Sequence, residues 1–141
     1  MGRVWDVIVV GCGPVGAYAA NLLGRYGLDT LVIERAIEPY ALPRAVHIDH
    51  EILRLLADIG LGDTLLPLMR AGDGHLHVGA DHGVIRYLSV AGQPRPYGYA
   101  NDYFFYQPEL EAKLRDALAA RPNVELRLGR PSPDPLRPAT A

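Results

Sequence analysis

The sequence predicts an α/β fold that starts with a βαβ unit and continues with extra helices and a small pair of β-strands. Three observations predict it. A stretch that is rich in β-branched residues and nearly all apolar, Trp5–Val10, leads into a glycine-rich turn, and helix-forming residues follow that turn. A second apolar run, Thr30–Ile33, then closes the unit. Strand, turn, helix and strand together occupy about 30 residues, the length of one βαβ unit.

The first strand consists almost entirely of apolar residues, so we expect it to be covered on both faces, as in a parallel sheet. The helix is predicted over Pro14–Tyr26, because a helix tolerates proline in its first turn. Gly27 is expected to end it. The second strand closes at Glu34.

The rest of the chain predicts further helices and strands. Asp49 can cap a helix whose apolar residues follow the i, i+3, i+4, i+7 spacing: Ile52, Leu55, Leu56 and Ile59. A short helix is predicted over Asp63–Met69, a strand pair over His75–Gly79 and Val84–Val90, and an exposed loop over Ala91–Asp102. Pro108 then opens a last helix, which carries Leu110, Leu114 and Leu118 on one stripe. A half-buried strand is predicted over Val124–Leu128.

The composition is that of a globular protein, with 49% apolar and 21% charged residues. A formal net charge of −2 predicts no general attraction to nucleic acid or to an anionic membrane. The single cysteine, Cys12, cannot form an internal disulfide, which is typical of a reducing compartment. The longest apolar run near the N-terminus, Val7–Val10, is too short to span a bilayer and lacks the layout of a signal peptide. We therefore expect a cytoplasmic protein with no nucleic-acid or membrane partner.

The glycine-rich turn reads GCGPVG and places Gly11, Gly13 and Gly16 in the G-x-G-x-x-G pattern. Gly11 permits the tight turn out of the strand. Gly13 lets the backbone approach a pyrophosphate without a Cβ in the way, and Gly16 lets the helix lie close to the sheet. The N–H groups at the helix start and the positive end of its dipole favour the negative charge of a diphosphate. The motif therefore predicts a Rossmann-like dinucleotide site.

Glu34 stands 18 residues after Gly16, close to the spacing of about 20 that is typical of a ribose-binding carboxylate. Its two oxygens can accept hydrogen bonds from both ribose hydroxyls, and its charge disfavours the 2′-phosphate of NADP. The alternative is a tight turn followed by a solvated glutamate. Glu34 does not distinguish NAD from FAD, so that choice stays open at this point.

Three further stretches resemble a known family: ERAIEPYALPRA (34–45), GRYGLDTLVIER together with PRAVHIDHEILRLLADIGL (24–35 and 43–61), and YQPELEAKLRDAL (106–118). They resemble the class A flavin-dependent monooxygenases, which share the fold of para-hydroxybenzoate hydroxylase. The similarity is greatest to the 3-(3-hydroxyphenyl)propionate hydroxylase and polyketide hydroxylase branch. It extends from Asp6 to about Gly129.

The resemblance implies FAD as cofactor, NADH or NADPH as a transient reductant, and hydroxylation of a phenolic, aromatic or polyketide substrate with O2. It places Arg44 near the FAD phosphates and Gln107 near the ribityl chain or the flavin, with Arg115 as a weaker candidate on the same helix. The alternatives are a loop cation in solvent for Arg44 and a helix-capping side chain for Gln107. The implied cofactor contacts are Gly11, Gly13, Pro14, Val15, Gly16, Glu34, Arg35, Arg44 and Gln107.

The chain departs from the family in length. Family members run to several hundred residues and carry an Asp-Gly motif, a Gly-Asp motif and a large substrate sheet, none of which occurs here. We therefore expect a fold that is incomplete relative to the family, with residues 1–130 as the N-terminal part of an FAD-binding domain. The proline-rich tail, residues 131–141, is expected to be disordered.

A chain of this kind would be incomplete for turnover, and no catalytic residue is assigned. A missing C-terminal portion or a partner chain would supply the rest of the flavin pocket. Two other functions stay open. One is a catalytically inactive remnant that binds a nucleotide, and the other is an NAD-binding dehydrogenase domain.

The histidines predict no metal site. His75 and His77 share one strand face, because side chains alternate with period two. A metal would need a third ligand, and no cysteine or H-E-x-x-H pattern supplies one. His47 and His50 flank Asp49 near a helix start, where capping and surface roles are expected. Cys12 is expected to pack in the glycine turn rather than to react.

Overall fold

A computed structural model describes residues 3–130. Their contacts form two compact units, one made of the described residues up to Leu42 together with those from Pro108 onward, and the other of Pro43–Gln107. The elements in chain order are β1 (Val7–Val10), α1 (Pro14–Arg25), β2 (Thr30–Ile33), β3 (His47–Asp49), α2 (His50–Asp58), α3 (Gly62–Leu65), a 3₁₀ helix (Leu66–Leu68), β4 (Arg70–Ala71), β5 (Gly74–Val78), β6 (Val84–Ser89), β7 (Asp102–Phe104), α4 (Gln107–Ala119) and β8 (Val124–Arg127).

The first unit contains the predicted βαβ unit. β1 and β2 are parallel and pair from Val7 with Thr30 onward, and β8 lies parallel on the other side of β2. The strand order is β1-β2-β8. The α/β fold class is confirmed, although β1 begins two residues later than predicted.

The expectation that the first strand is covered on both faces is wrong. Ile8 and Val10 are 56% and 58% exposed, and they share one face of β1. β1 lies at an edge of the three-stranded sheet, whereas β2 is flanked on both sides. Accordingly Leu31 and Val32 of β2 are buried. The described part of the chain therefore leaves some of the apolar side chains of β1 uncovered.

A buried asparagine joins α1 to α4. The side-chain amide of Asn21 is fully buried and donates to the carbonyl oxygens of Ala17 and Leu114, both at 2.9 Å. Its Oδ1 accepts from Nε of Arg121, also at 2.9 Å. The predicted stripe of α4 lies in the same core, with all of its leucines buried: Leu110, Leu114 and Leu118.

We expect Asn21→Ala to lower the free energy of unfolding by about 1–3 kcal/mol, because buried groups on both helices lose their partner. Urea unfolding followed by far-UV circular dichroism measures the loss. Val15→Ala is the control on the same helix, since Val15 is 82% exposed. Equal shifts for the two variants would refute the importance of this contact.

In the second unit, α2 begins as predicted. Oδ1 of Asp49 accepts from the N–H of Ile52 at 2.9 Å and so caps the helix. The predicted apolar face needs a correction, however. Ile52 is 43% exposed, whereas Leu53, which the spacing left out, is fully buried beside Ala100 and Tyr103. The buried apolar residues of this segment are instead three positions apart: Leu53, Leu56 and Ile59.

An antiparallel sheet in the order β3-β7-β4 was not predicted. Each of its strands has only two or three residues, too few to show a period of two. The predicted helix Asp63–Met69 is instead α3 followed by the 3₁₀ helix, which contains Pro67. The predicted loop Ala91–Asp102 overlaps the first residue of β7.

The predicted strand pair is confirmed as the antiparallel hairpin of β5 and β6. His82 in its turn has φ +62°, a left-handed conformation that suits this tight connection. Among residues 3–130, no helix has the length and apolar character needed to cross a bilayer. The single domain over residues 1–130 stays a prediction, and the tail at 131–141 lies outside the described residues.

Candidate cofactor site

The glycine turn connects β1 to α1. Gly11 has φ +96°, a left-handed conformation that glycine adopts without the penalty a Cβ would bring. Its N–H donates to the carbonyl oxygen of Ile33 at 2.8 Å, which fixes the turn against the end of β2. The predicted role of Gly11 in leaving the strand is thus visible in the backbone.

Gly13 is the N-cap residue of α1, and it leaves open space above the helix start. An added Cβ there would meet no atom within 4 Å. The N-cap makes no side-chain hydrogen bond, and no acidic residue stands in the first turn. Pro14 is the first helical residue, and Val15 is 82% exposed. An anion can therefore approach the helix start without meeting a side chain at Gly13.

The first intrahelical hydrogen bond runs from the N–H of Ala17 to the carbonyl oxygen of Gly13 at 2.9 Å. The N–H groups of Val15 and Gly16 precede this bond, so the helix itself provides them with no acceptor. Together with the helix dipole they form a site that favours negative charge.

Gly16, unlike Gly13, has no room for a side chain. A Cβ at Gly16 would lie 2.0 Å from the carbonyl oxygen of Gly11 and 3.5 Å from Cγ1 of Val9. Only a residue without a side chain allows α1 to pack this closely against the turn and β1. The third glycine of the motif is therefore required by packing.

Glu34 reaches from the end of β2 to the glycine turn. Its Oε2 accepts from the N–H of Cys12 at 2.6 Å, and its Oε1 accepts from the N–H of Ala36 at 2.7 Å. The sequence suggested a ribose-binding role, with a solvated glutamate as the alternative. In the structure the carboxylate also holds the turn, while each oxygen keeps capacity for a further hydrogen bond, because a carboxylate offers about four lone-pair sites.

Burial by itself would raise the pKa of Glu34. The hydrogen bonds from the N–H groups of Ala36 and Cys12, with the positive charge of Arg115, outweigh burial and lower that pKa below its usual value. Glu34 is therefore ionised at neutral pH, as an acceptor for two ribose hydroxyls should be.

Arg115 of α4 holds the same turn from the other side. Its Nε donates to the carbonyl oxygen of Cys12 and its Nη1 to that of Ile37, both at 3.3 Å. The sequence assigned it, weakly, to the flavin region, whereas the structure shows it contacting the glycine turn.

The Cys12 side chain is fully buried, and this burial raises the pKa of its thiol despite the nearby Arg115 charge. Packing is thus its role, as expected.

A cleft of about 190 Å³ opens at the carboxyl ends of β1 and β2. It is lined by Val10, Gly11, Ile33, Glu34, Arg35 and Arg130. The cleft includes Arg35, which was among the predicted contacts. Arg130 was missed, because it follows β8 and only the pairing of β8 with β2 brings it to this edge.

Arg44 and Gln107 form a second group, in the unit Pro43–Gln107. Gln107 is buried, and its Oε1 accepts from the backbone N–H groups of Arg44 and Ala45, both at 2.8 Å. The structure thus brings the two predicted residues together through the backbone of Arg44. The amide of Gln107 fixes the conformation of this segment, which differs from the helix-capping alternative.

Comparison with known proteins identifies relatives of this chain. The model of a family described as "FAD binding domain" matches residues 4–131. A 3-(3-hydroxy-phenyl)propionate/3-hydroxycinnamic acid hydroxylase of Burkholderia cenocepacia (strain HI2424) is 41% identical over 132 residues, which cover 88% of this chain and 22% of that protein. A probable NADH-specific resorcinol 4-hydroxylase of Rhodococcus jostii (strain RHA1) is 36% identical over 124 residues, with 88% of this chain and 23% of that protein covered.

Among solved structures, p-nitrophenol 4-monooxygenase from Pseudomonas putida DLL-E4 superposes with a TM-score of 0.80 at 26% identity, covering 92% of this chain and 33% of that one. The chain spans about a fifth of the length of the curated relatives it matches and corresponds to their N-terminal portion. With the family model matching nearly all of the described residues, this chain belongs to the FAD binding domain family of the aromatic hydroxylase-type flavin monooxygenases.

Proposed function

We propose that this chain binds the ADP half of FAD and is the FAD-binding segment of a monooxygenase that hydroxylates a phenolic, aromatic or polyketide substrate with NADH or NADPH and O2. One observation carries the proposal most directly. Gly13 leaves open space at the start of α1, while Glu34 ends the neighbouring strand as an ionised acceptor. Diphosphate and ribose need this pair of features at this spacing.

The described residues fit the adenosine diphosphate part of FAD. The first-turn N–H groups of α1 would hold the diphosphate, and the free lone pairs of Glu34 would accept from the ribose hydroxyls. Arg35 and Arg130, which line the cleft with Glu34, add positive charge beside a dianionic ligand. The bound flavin would supply redox chemistry, and the protein would supply binding and orientation.

The second group supports the same proposal. Gln107 holds the backbone of Arg44 and Ala45 in a fixed conformation, so that the Arg44 segment is preorganised. We propose that Arg44 contributes its charge to the FAD phosphates in the assembled flavin pocket.

Catalysis requires more than the described residues offer. Two apolar side chains of β1, Ile8 and Val10, are exposed on one face of the sheet, whereas a parallel sheet is normally covered on both faces. We propose that a C-terminal portion or a partner chain covers this face and completes the flavin and substrate sites. The resorcinol hydroxylase relative is named as NADH-specific, which favours NADH as the reductant of the complete protein.

Ligand competition tests the ADP-half proposal. Quenching of flavin fluorescence, or calorimetry, measures the affinity of the purified, tag-free chain for FAD. ADP is expected to displace FAD, whereas FMN, which lacks adenosine, is expected to bind at least about tenfold more weakly than FAD, the loss of roughly 1.4 kcal/mol. The same preparation should not oxidise NADH in the presence of phenols.

Two results would overturn the proposal. Equal affinity for FMN and FAD, with no displacement by ADP, would show that the glycine turn is not the site. NAD bound at least tenfold more tightly than FAD would favour an NAD-binding dehydrogenase domain instead.

A further inference from the structure

Three side chains from three strands of the second unit meet at one point. Nδ1 of His47 lies 3.2 Å from Oδ1 of Asp102, and Nε2 of His75 lies 2.9 Å from Oδ2 of the same carboxylate. The ring centres of the two histidines are 4.6 Å apart. One nitrogen or oxygen from each of the three residues lies within 4.8 Å of the others.

The backbone places these residues together. In the antiparallel pairing of β3 with β7, His47 stands opposite Phe104. Asp102 is two residues from Phe104, so it shares a face with His47 as a diagonal neighbour. β5 brings the third side chain, His75, whose ring centre also lies 6.0 Å from that of Phe104 in a tilted arrangement. All three residues belong to regular strands rather than to loops.

The carboxylate of Asp102 is the unusual member of the cluster. The residue is only 4% exposed. Among the described residues its Oδ2 is buried and makes no hydrogen bond, and Nε2 of His75 lies 2.9 Å away as an ion-pair contact. A buried carboxylate oxygen without a hydrogen bond is costly. A cation bound by both the oxygen and the imidazole nitrogen would satisfy both.

The ligand types indicate which cation fits. Imidazole nitrogen with carboxylate oxygen suits Zn²⁺ and its transition-metal neighbours, whereas Mg²⁺ and Ca²⁺ favour all-oxygen sites. Metal–ligand bonds of about 2.0–2.1 Å in a tetrahedron put ligand atoms about 3.3 Å apart. Two of the contacts, at 3.2 and 2.9 Å, are already close to that separation.

The cluster is also accessible. The side chains of His47 and His75 are 53% and 28% exposed, while that of Asp102 is 6% exposed. The carboxylate thus forms the floor and the imidazoles form an open rim. Such an arrangement gives an ion a path of entry and leaves coordination positions for water.

We propose that His47, His75 and Asp102 form a binding site for one divalent transition-metal ion of the Zn²⁺ type. These residues belong to the second unit, whereas the glycine turn belongs to the first, and the proposal does not depend on FAD binding. It also revises the interpretation from the sequence, which paired His75 with His77 and found no third ligand. The partners of His75 are instead His47 and Asp102, which lie 28 positions before it and 27 positions after it in the chain.

Zinc titration of the tag-free 141-residue chain, freed of metal by chelation, tests the proposal. Calorimetry with ZnCl2 is expected to show saturation at one equivalent, and a large excess of Mg²⁺ should not displace the zinc. His47→Gln and His75→Gln should each weaken zinc binding by at least about tenfold, since loss of an outer-sphere partner alone costs that much.

His77→Gln is the matched control. His77 lies on the same strand, two residues from His75, and is exposed, but it is not part of the cluster. It should bind zinc within about twofold of the unmodified chain. Asp102→Asn could disturb folding, so circular dichroism must accompany it, and the two histidine variants decide the question without it.

Substitution of Co²⁺ for Zn²⁺ provides a second readout, because its visible absorption reports nitrogen and oxygen ligands directly. Loss of that spectrum in His47→Gln and His75→Gln, but not in His77→Gln, would support the site. Absence of saturable zinc binding, or an equal loss in His77→Gln, would overturn the proposal.

Discussion

Gly16→Ala is expected to destabilise the chain by more than about 2 kcal/mol and to abolish FAD binding. The new methyl group would lie 2.0 Å from the carbonyl oxygen of Gly11, a backbone atom that cannot rotate away. Relief requires α1 to move from the turn and from Val9, and overpacking of this kind costs about 1–3 kcal/mol or more. Urea unfolding followed by far-UV circular dichroism measures the loss.

Gly13→Ala is the matched control, because it adds the same methyl group three residues away. No atom lies within 4 Å of the new Cβ, and the backbone at φ −75° suits alanine. We expect the stability to stay within about 1 kcal/mol of the unmodified chain. FAD affinity should nevertheless fall, because the methyl group occupies the space through which a diphosphate would approach the helix start.

The pair of variants separates packing from binding. Gly16→Ala should lower both the free energy of unfolding and the affinity for FAD, whereas Gly13→Ala should lower only the affinity for FAD. Unchanged stability of Gly16→Ala would contradict the close packing of α1. Unchanged FAD affinity of a folded Gly13→Ala would remove the glycine turn from the proposed diphosphate site.

Glu34→Gln is expected to lower the free energy of unfolding by about 1.5–3 kcal/mol at neutral pH, because hydrogen bonds to charged groups are worth about that much. Both carboxylate oxygens accept backbone N–H groups, those of Cys12 and Ala36. Glutamine replaces one acceptor by an NH2 donor that faces another donor. FAD affinity should fall with it, because the glycine turn loses the carboxylate that holds it.

The destabilisation by Glu34→Gln should depend on pH in one direction. The pKa of Glu34 in the folded chain is lower than its ordinary value of 4.5. A carboxylate with a lowered pKa stabilises the fold above the ordinary pKa, and this contribution is lost as the pH falls through the folded-state value. The difference between the two proteins should therefore be constant from neutral pH to about pH 5 and shrink below it.

Urea unfolding of both proteins at a series of pH values between about 7 and 3 measures this dependence. Glu125→Gln is a suitable control, since the carboxylate of Glu125 pairs with an exposed side chain, that of Arg127 on the same strand. A difference that grows as the pH falls would contradict the assignment of the lowered pKa to the hydrogen bonds in the turn.

Much of the candidate cofactor site could be predicted from the sequence, because its parts are local. The glycine spacing, the strand before it and Glu34 after β2 all lie within one βαβ unit, where backbone geometry follows from residue type. The distinction between Gly13 and Gly16 is an example. The motif predicted open approach at Gly13, where an added Cβ meets no atom within 4 Å. It predicted close packing at Gly16, where an added Cβ meets the carbonyl oxygen of Gly11.

The roles of the more distant residues could not be predicted. Arg115 contacts the carbonyl oxygen of Cys12 across 103 positions of the chain. Gln107 binds the backbone of Arg44 across 63 positions. The pattern around each residue indicates a helix and a loop, but no periodicity specifies which atoms meet when separate segments pack.

The sequence by itself determined the βαβ unit, the glycine turn and the acidic end of β2, since these depend on local residue preferences and on spacing along the chain. The tertiary structure alone decided that β1 has an exposed face, that three very short strands form a sheet, and that His47, His75 and Asp102 meet. Strands of two or three residues carry no readable period. Their pairing is specified by contacts between distant segments, which exist only once the chain has folded.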